Sequence, residues 1–266
     1  MRVASPPESP STTLPEVELA GVRLHALDEA GCVAHVLAEL DRGRGGTVVT
    51  PNLDHLRRYR IDERFADCVD ESTLRVADGR PLLWAARLQG TPLPGLVAGS
   101  NLISSLSEGA AKRGRRVFFL GGDPGTADRA AGVLASRYDD FEVAGTNCPE
   151  FGFEKNPATL DALRDELTNS AADIVFVALG SPKQEYVIRA LRDSLPGAWW
   201  IGVGISFSFV CGEVQRAPRW MQRTGLEWLH RLGQEPGRLA KRYLVHGLPF
   251  AARFLLGSAW KGVTRT

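Results

Sequence analysis

Short apolar runs alternate with amphipathic stretches along most of the chain. Residues 17–24 and 46–50 carry Val and Leu in β-like runs and predict strands, while 28–40 between them places Ala, Val and Leu at helical intervals. Further strands are predicted at 74–77, 116–120, 141–144, 174–179 and 199–203. Helical spacing covers 81–87, 101–113, 125–137, 157–167 and 183–195. Strand and helix taking turns in this way predicts an α/β fold, a Rossmann-like, mostly parallel sheet with helices on both faces.

The pattern changes after Gly212. Arg-rich helical segments at 218–225, 226–232, 236–246 and 249–258 are broken by Gly and Pro, and no strand pattern appears among them. The chain therefore divides into a flexible tail over 1–15, an α/β domain over 16–212 and an all-helical basic appendage over 213–266. The tail has Pro and Ser without an apolar core segment, so it does not read as a signal peptide. The longest apolar stretch, 198–210, is shorter than the roughly 20 residues a spanning helix needs.

Composition narrows the classes. A chain of 266 residues that is 44% hydrophobic can bury a large core, so general disorder is excluded. Its four cysteines are widely separated and form no CxxC pair, and its five histidines lack metal-ligand spacing. A structural zinc or a disulfide framework is therefore not expected, and a reducing cytoplasm is the simplest setting. Net charge is +1 overall, yet the stretch from Cys211 to Thr266 holds ten Lys/Arg against three Asp/Glu. That excess suits an anionic partner such as ligand phosphates, a membrane surface or nucleic acid; a solvated helical face is the alternative.

Polar islands follow the strands, at the sheet edge where α/β proteins bind ligands. Three are glycine turns. Gly121 and Gly122 end the 116–120 run before a helix, as a phosphate-approaching turn would, but with GGxxG spacing and no clear ribose-binding acid. Gly180 and Ser181 precede Pro182, Lys183 and Gln184; Ser181 fits a helix cap and Pro182 a first helical position. Lys183 opposes the helix dipole there, which an anionic ligand would explain. Gly202 and Gly204 form the third turn. Together they predict a nucleotide or sugar-nucleotide cleft.

Two further islands, Thr50-Pro-Asn-Leu-Asp54 and Ala77-Asp-Gly-Arg-Pro81, carry hydroxyl, amide and carboxylate groups. Asp78 at a strand end can deprotonate a hydroxyl, or it can cap the helix that follows. Thr50 and Asn52 can orient a sugar, or cap the helix starting near Leu53. There is no DxD motif, and no metal site is expected.

These segments, with Phe118-Phe-Leu-Gly-Gly122, Gly180-Ser-Pro-Lys-Gln-Glu185, Arg216-Ala-Pro218, Gly225-Leu-Glu-Trp-Leu229 and 238–243, resemble the WecG/TagA/CpsF glycosyltransferases, glycosyltransferase family 26. The resemblance runs from about residue 17 to 257. It implies transfer of a sugar from a UDP donor to a polyprenyl-diphosphate-linked saccharide at the cytoplasmic membrane face, with inversion and no bound metal or other cofactor. It further implies Asp78 as general base, Thr50 and Asn52 in the same pocket, and Gln184 on a sugar. Appendage cations, Arg216, Arg231, Arg238 and Arg242, would meet the diphosphate and the anionic membrane. Lys241 stands where some relatives have arginine and lacks its bidentate fork. No nucleic acid is implied, and a homo-oligomer stays open. Two rival classes remain from the residues alone: a nicotinamide oxidoreductase using the Gly121 turn, and a non-enzymatic module binding through the basic tail.

Overall fold

The structure, a computed structural model, describes residues 14–265 apart from the side chains of Arg238 and Arg265. Most of the predicted N-terminal tail lies outside the described residues. Eight strands follow in order: β1 (Glu16–Leu19), β2 (Val22–His25), β3 (Gly46–Val49), β4 (Leu74–Arg75), β5 (Arg116–Gly121), β6 (Glu142–Asn147), β7 (Ile174–Ala178) and β8 (Trp199–Gly202). The last six form one wholly parallel sheet in the order β4-β3-β8-β7-β5-β6. With helices on both faces, this is the α/β Rossmann-like fold that the alternation predicts.

The central strands are apolar throughout because both faces are covered. Val117 and Phe119 of β5, Phe176 of β7 and Trp199 and Ile201 of β8 join one core with helices Glu29–Asp41, Gly99–Ala111 and Thr126–Arg137. Their alternate neighbours Phe118, Val175, Val177 and Trp200 pack on the other face against helices Pro157–Ser170 and Lys183–Leu191. Period-two spacing thus assigns each residue its layer. Removing either fully buried tryptophan to alanine would cost about 3–5 kcal/mol.

Three boundaries differ from the sequence reading. The 17–24 run is not one strand but the antiparallel hairpin β1–β2, turned by Ala20 and Gly21 at φ of 52° and 92°. β4 is only two residues long, although Asp78 N–H still reaches the Pro51 carbonyl at 2.8 Å. Pro51 has no N–H to return, so pairing cannot continue there. Two helices, Leu53–Tyr59 and Glu63–Asp70, fill the connection from β3 to β4.

Among the described residues no strand follows β8, and the chain ends in helices Arg219–Thr224, Glu227–Gln234, Pro236–Ala240 and Leu248–Arg265. A π-helical stretch, Lys241–Gly247, joins the last two. Its widened turn lies just before Pro249, which cannot donate to an i−4 carbonyl, so the helix passes a residue that would otherwise break it. The final helix packs on helix Arg80–Leu88, and Phe250 and Phe254 join the core beneath the hairpin.

Candidate active site

The cleft is set by how the strands end. After β8 the chain turns through Gly204 into helix Ser206–Val210 on one face, where Phe207 is buried against Phe119. Its sheet neighbours β3 and β7 feed helices on the opposite face, so the carboxyl end of β8 lies at a parting of the chain, where such sheets open a crevice. Gly99 begins helix Gly99–Ala111 at this point. A Cβ on Gly99 would stand 3.0 Å from the Gly202 carbonyl and 3.7 Å from Thr50 Oγ1. A side chain here would press on the sheet edge, so glycine suits a helix that starts this close to it. No side chain caps this helix, nor helices Thr126–Arg137 and Lys183–Leu191, which begin after β5 and β7. Uncapped N-termini at strand ends suit phosphate oxygens.

Gln184 lines the same crevice. Its Oε1 accepts from Gly204 N–H at 3.0 Å and its Nε2 donates to Glu185 Oε1 at 2.9 Å, with both residues buried. A Cβ on Gly202 would come within 2.5 Å of Gln184 Nε2. Gly202 is therefore required by the seat of Gln184, while Gly204, at φ 57°, serves the turn that presents its N–H. Thr50, buried at the end of β3, completes this wall.

Asp78 stands one strand away, its backbone tied to Pro51 and the preceding Ala77 carbonyl accepting from Val97 N–H at 2.8 Å. It does not cap the following helix: Gly79, at φ 104°, occupies the cap position and no side chain bonds there. Among the described residues its carboxylate accepts no hydrogen bond. Burial pushes its pKa up to about 7, the charge of Glu227 adds to the rise, and Arg216 and Arg231 oppose it. All three of those charges lie beyond residue 212.

Glu227 is held in turn. Arg216 Nε lies 3.4 Å from Glu227 Oε1, and Arg216 Nη1 donates to Asn101 Oδ1 at 2.6 Å. Asn101 Nδ2 donates to Glu29 at 2.8 Å, and Ser105 Oγ donates to the same carboxylate. Beside this chain, the turn at Gly225 (φ 77°) rests on helix Arg80–Leu88: an added Cβ would meet Arg80 at 3.0 Å and Trp84 at 3.1 Å. The appendage is thereby seated directly over the segment that presents Asp78.

A family model described as "Glycosyl transferase WecG/TagA/CpsF family" matches residues 17–263. The chain belongs to the WecG/TagA/CpsF glycosyltransferase family. Such a transferase serves cell-surface polysaccharide synthesis and needs a sugar donor and an acceptor. The assignment selects a glycosyltransferase over the nicotinamide enzyme and the bare binding module that the residues alone left open.

Within the transferase, the structure gathers Thr50, Asp78, Gln184, Gly202, Gly204, Arg216 and Arg231 around the crevice or the seat above it. Other expected residues are otherwise engaged. Asn52 caps helix Leu53–Tyr59, its Oδ1 accepting from Asp54 and His55 N–H groups at 3.0 and 3.2 Å. Ser181 caps nothing: Pro182 occupies the N-cap position of helix Lys183–Leu191 without a capping bond, and Ser181 Oγ is buried without a partner. Lys183 pairs with Glu154 at 3.0 Å and its ammonium lies over the Phe151 and Phe153 rings, so its first-turn position has a protein partner. Gly121 and Gly122 have φ of 95° and 84°, and a Cβ at Gly121 would fall 2.9 Å from the Ala178 carbonyl. Gly180 likewise has a positive φ of 70°. Arg242 pairs with Asp54 at 3.0 Å, anchoring the π-helical stretch to helix Leu53–Tyr59. The Arg238 side chain lies outside the described residues.

Sequence reasoning assigned no role to Gly99, Asn101 or Glu227. Gly99 and Ser100 before an apolar helical run with no acidic cap were the available signal for the first. Glu227 stood inside a motif already noted, but only the folded chain brings it to Asp78.

Proposed function

We propose that the protein is an inverting, metal-independent glycosyltransferase that moves a hexose or N-acetylhexosamine-type sugar from a UDP donor to a polyprenyl-diphosphate-linked saccharide. Asp78 carries this reading. A strand-end carboxylate without a hydrogen-bond partner and with a pKa near 7 is poised to accept a proton at neutral pH.

In the proposed reaction an acceptor hydroxyl attacks the anomeric carbon from the side opposite the diphosphate. The new C–O bond forms as the bond to UDP breaks, and the hydroxyl proton passes to Asp78. The open N-terminus at Gly99 and the guanidinium groups of Arg216 and Arg231 would oppose the charge that develops on the leaving diphosphate. Gln184, fixed by Gly204 and Glu185, would present its remaining amide hydrogen to a sugar hydroxyl, with Thr50 on the adjoining wall.

The appendage supports attachment to the inner face of the cell membrane. No helix of the described residues is long and apolar enough to cross a membrane. Instead Trp220, Leu229, Leu244, Leu248, Leu256 and Trp260 are exposed among the appendage's cations, a composition suited to lying on an anionic lipid surface.

The test is release of UDP from a panel of UDP sugars, with and without a polyprenyl-diphosphate saccharide. Acceptor-dependent release from one donor is expected, and Asp78→Asn should lower turnover by about 10²- to 10⁴-fold with the fold intact. Full turnover by the Asn variant would remove Asp78 from its role, and failure of every UDP sugar would remove the donor class.

A further inference from the structure

Away from the crevice, helix Leu53–Tyr59, the π-helical stretch and the final helix line an open cavity of about 320 Å³. Arg57, Arg60, His246 and Arg253 form its walls, and Phe250 and Phe254, stacked with their planes 7° apart, form its floor. A second cavity of about 460 Å³ shares Arg60 and Phe254 and extends to Lys261, so the two make one groove along the final helix. The volumes fall within the roughly 300–1,000 Å³ of small-ligand sites.

The charge here is unbalanced. Arg57 is paired with Asp54 at 3.3 Å, but among the described residues neither Arg60 nor Arg253 has a carboxylate or side-chain hydrogen-bond partner. Two unpaired guanidinium groups above an aromatic floor ask for a ligand with an anionic head and an apolar body. The rim carries the same combination outward: Val245 is 59% exposed, Leu248 49% and Ile61 69%, all apolar side chains next in chain to residues of the groove. Arg60 and Arg253 touch neither Asp78 nor the carboxylates and amides around it, so this is a second site.

We propose that this groove seats the headgroup of an anionic phospholipid, its phosphate between Arg60 and Arg253 and its first acyl carbons along Phe250 and Val245. The proposal rests on the membrane attachment argued above and deepens it: one lipid is held at a defined place, which would fix how the crevice faces the bilayer.

The experiment keeps charge constant. Full-length Arg60→Lys/Arg253→Lys protein is compared with wild type by flotation with phosphatidylcholine vesicles containing about one third phosphatidylglycerol. A seated phosphate needs the arginine fork, so about tenfold weaker binding is expected at unchanged charge, with thermal unfolding unchanged. Equal binding of the two proteins would mean diffuse attraction and would overturn the proposal.

A second arm needs no bilayer. Dihexanoyl-phosphatidylglycerol should raise the unfolding temperature of wild type and not of the double variant. Equal protection by inorganic phosphate would point to a free-phosphate site and overturn the lipid assignment; no protection by either would overturn the site. Should wild type fail to float while the short-chain lipid still protects it, membrane attachment falls and the headgroup site stands.

Discussion

Replacing Asp78 by Asn should make the protein more stable at pH 8 while removing the proposed base. In the unfolded chain this carboxyl titrates near 3.8, and in the fold near 7. Between those values the native state keeps a proton that the unfolded state has lost, so native stability falls as pH rises from about 4 to 7 and is level above it. The gap corresponds to on the order of 4 kcal/mol, and water reaching the half-open carboxylate brings the expectation to roughly 2–4 kcal/mol. Asparagine bears no such cost. At about 2–4 °C per kcal/mol for a chain of this size, the Asn variant should melt roughly 5–15 °C higher at pH 8. Near pH 4 the difference should shrink toward a small constant. The assay is thermal unfolding of both proteins across this range. A difference that does not change with pH, or an Asn variant that is less stable at pH 8, would refute the claim that desolvation governs Asp78.

Glu227→Gln should move the acid limb of kcat/KM to lower pH, because it removes a like charge from Asp78 and releases Arg216 to act on it; a pH–rate profile checks this, and an unmoved limb would separate Glu227 from the base. Gly225→Ala should destabilise the appendage by about 1–2 kcal/mol, since it places a Cβ at positive φ against Arg80 and Trp84. Limited proteolysis beyond residue 212 should quicken in that variant, and an unchanged digestion rate would show that the turn does not hold the appendage down.

The layers were legible in the sequence because buried parallel strands are apolar on both faces and their helices have apolar stripes; 116–120, 174–179 and 199–203 all fall on observed strands. Local turn chemistry was less legible. Ala20-Gly21 splits an apolar run into a hairpin, although alanine gives little warning of a positive φ. The candidate site was partly legible for a similar reason. Asp78 could be picked out because a strand-end carboxylate stands where such sheets bind ligands, yet Asp-Gly is also an ordinary turn pair, and only Gly79 taking the cap position freed the carboxylate from that role. Lys183 shows the reverse: its position suggested a ligand, and Glu154, nearly thirty residues earlier in the chain, supplies a partner. Contacts between distant segments, such as Arg216 with Asn101 and Arg242 with Asp54, follow from packing and leave no local trace.

The seat of Gly225 on Arg80 and Trp84 also bears on synthesis of the chain. Every charge that tunes Asp78 belongs to residues 216, 227 or 231, which leave the ribosome after the sheet and its helices are complete. The layers around β5, β7 and β8 can therefore collapse while the polypeptide is still growing, but the core under the hairpin is closed by Phe250 and Phe254, and Asp78 acquires its native surroundings, only when the last fifth of the chain arrives. Under the role proposed for Asp78, a product that stops short of residue 213 would lack every charge that sets its base, so sugar transfer would begin only once the chain is finished.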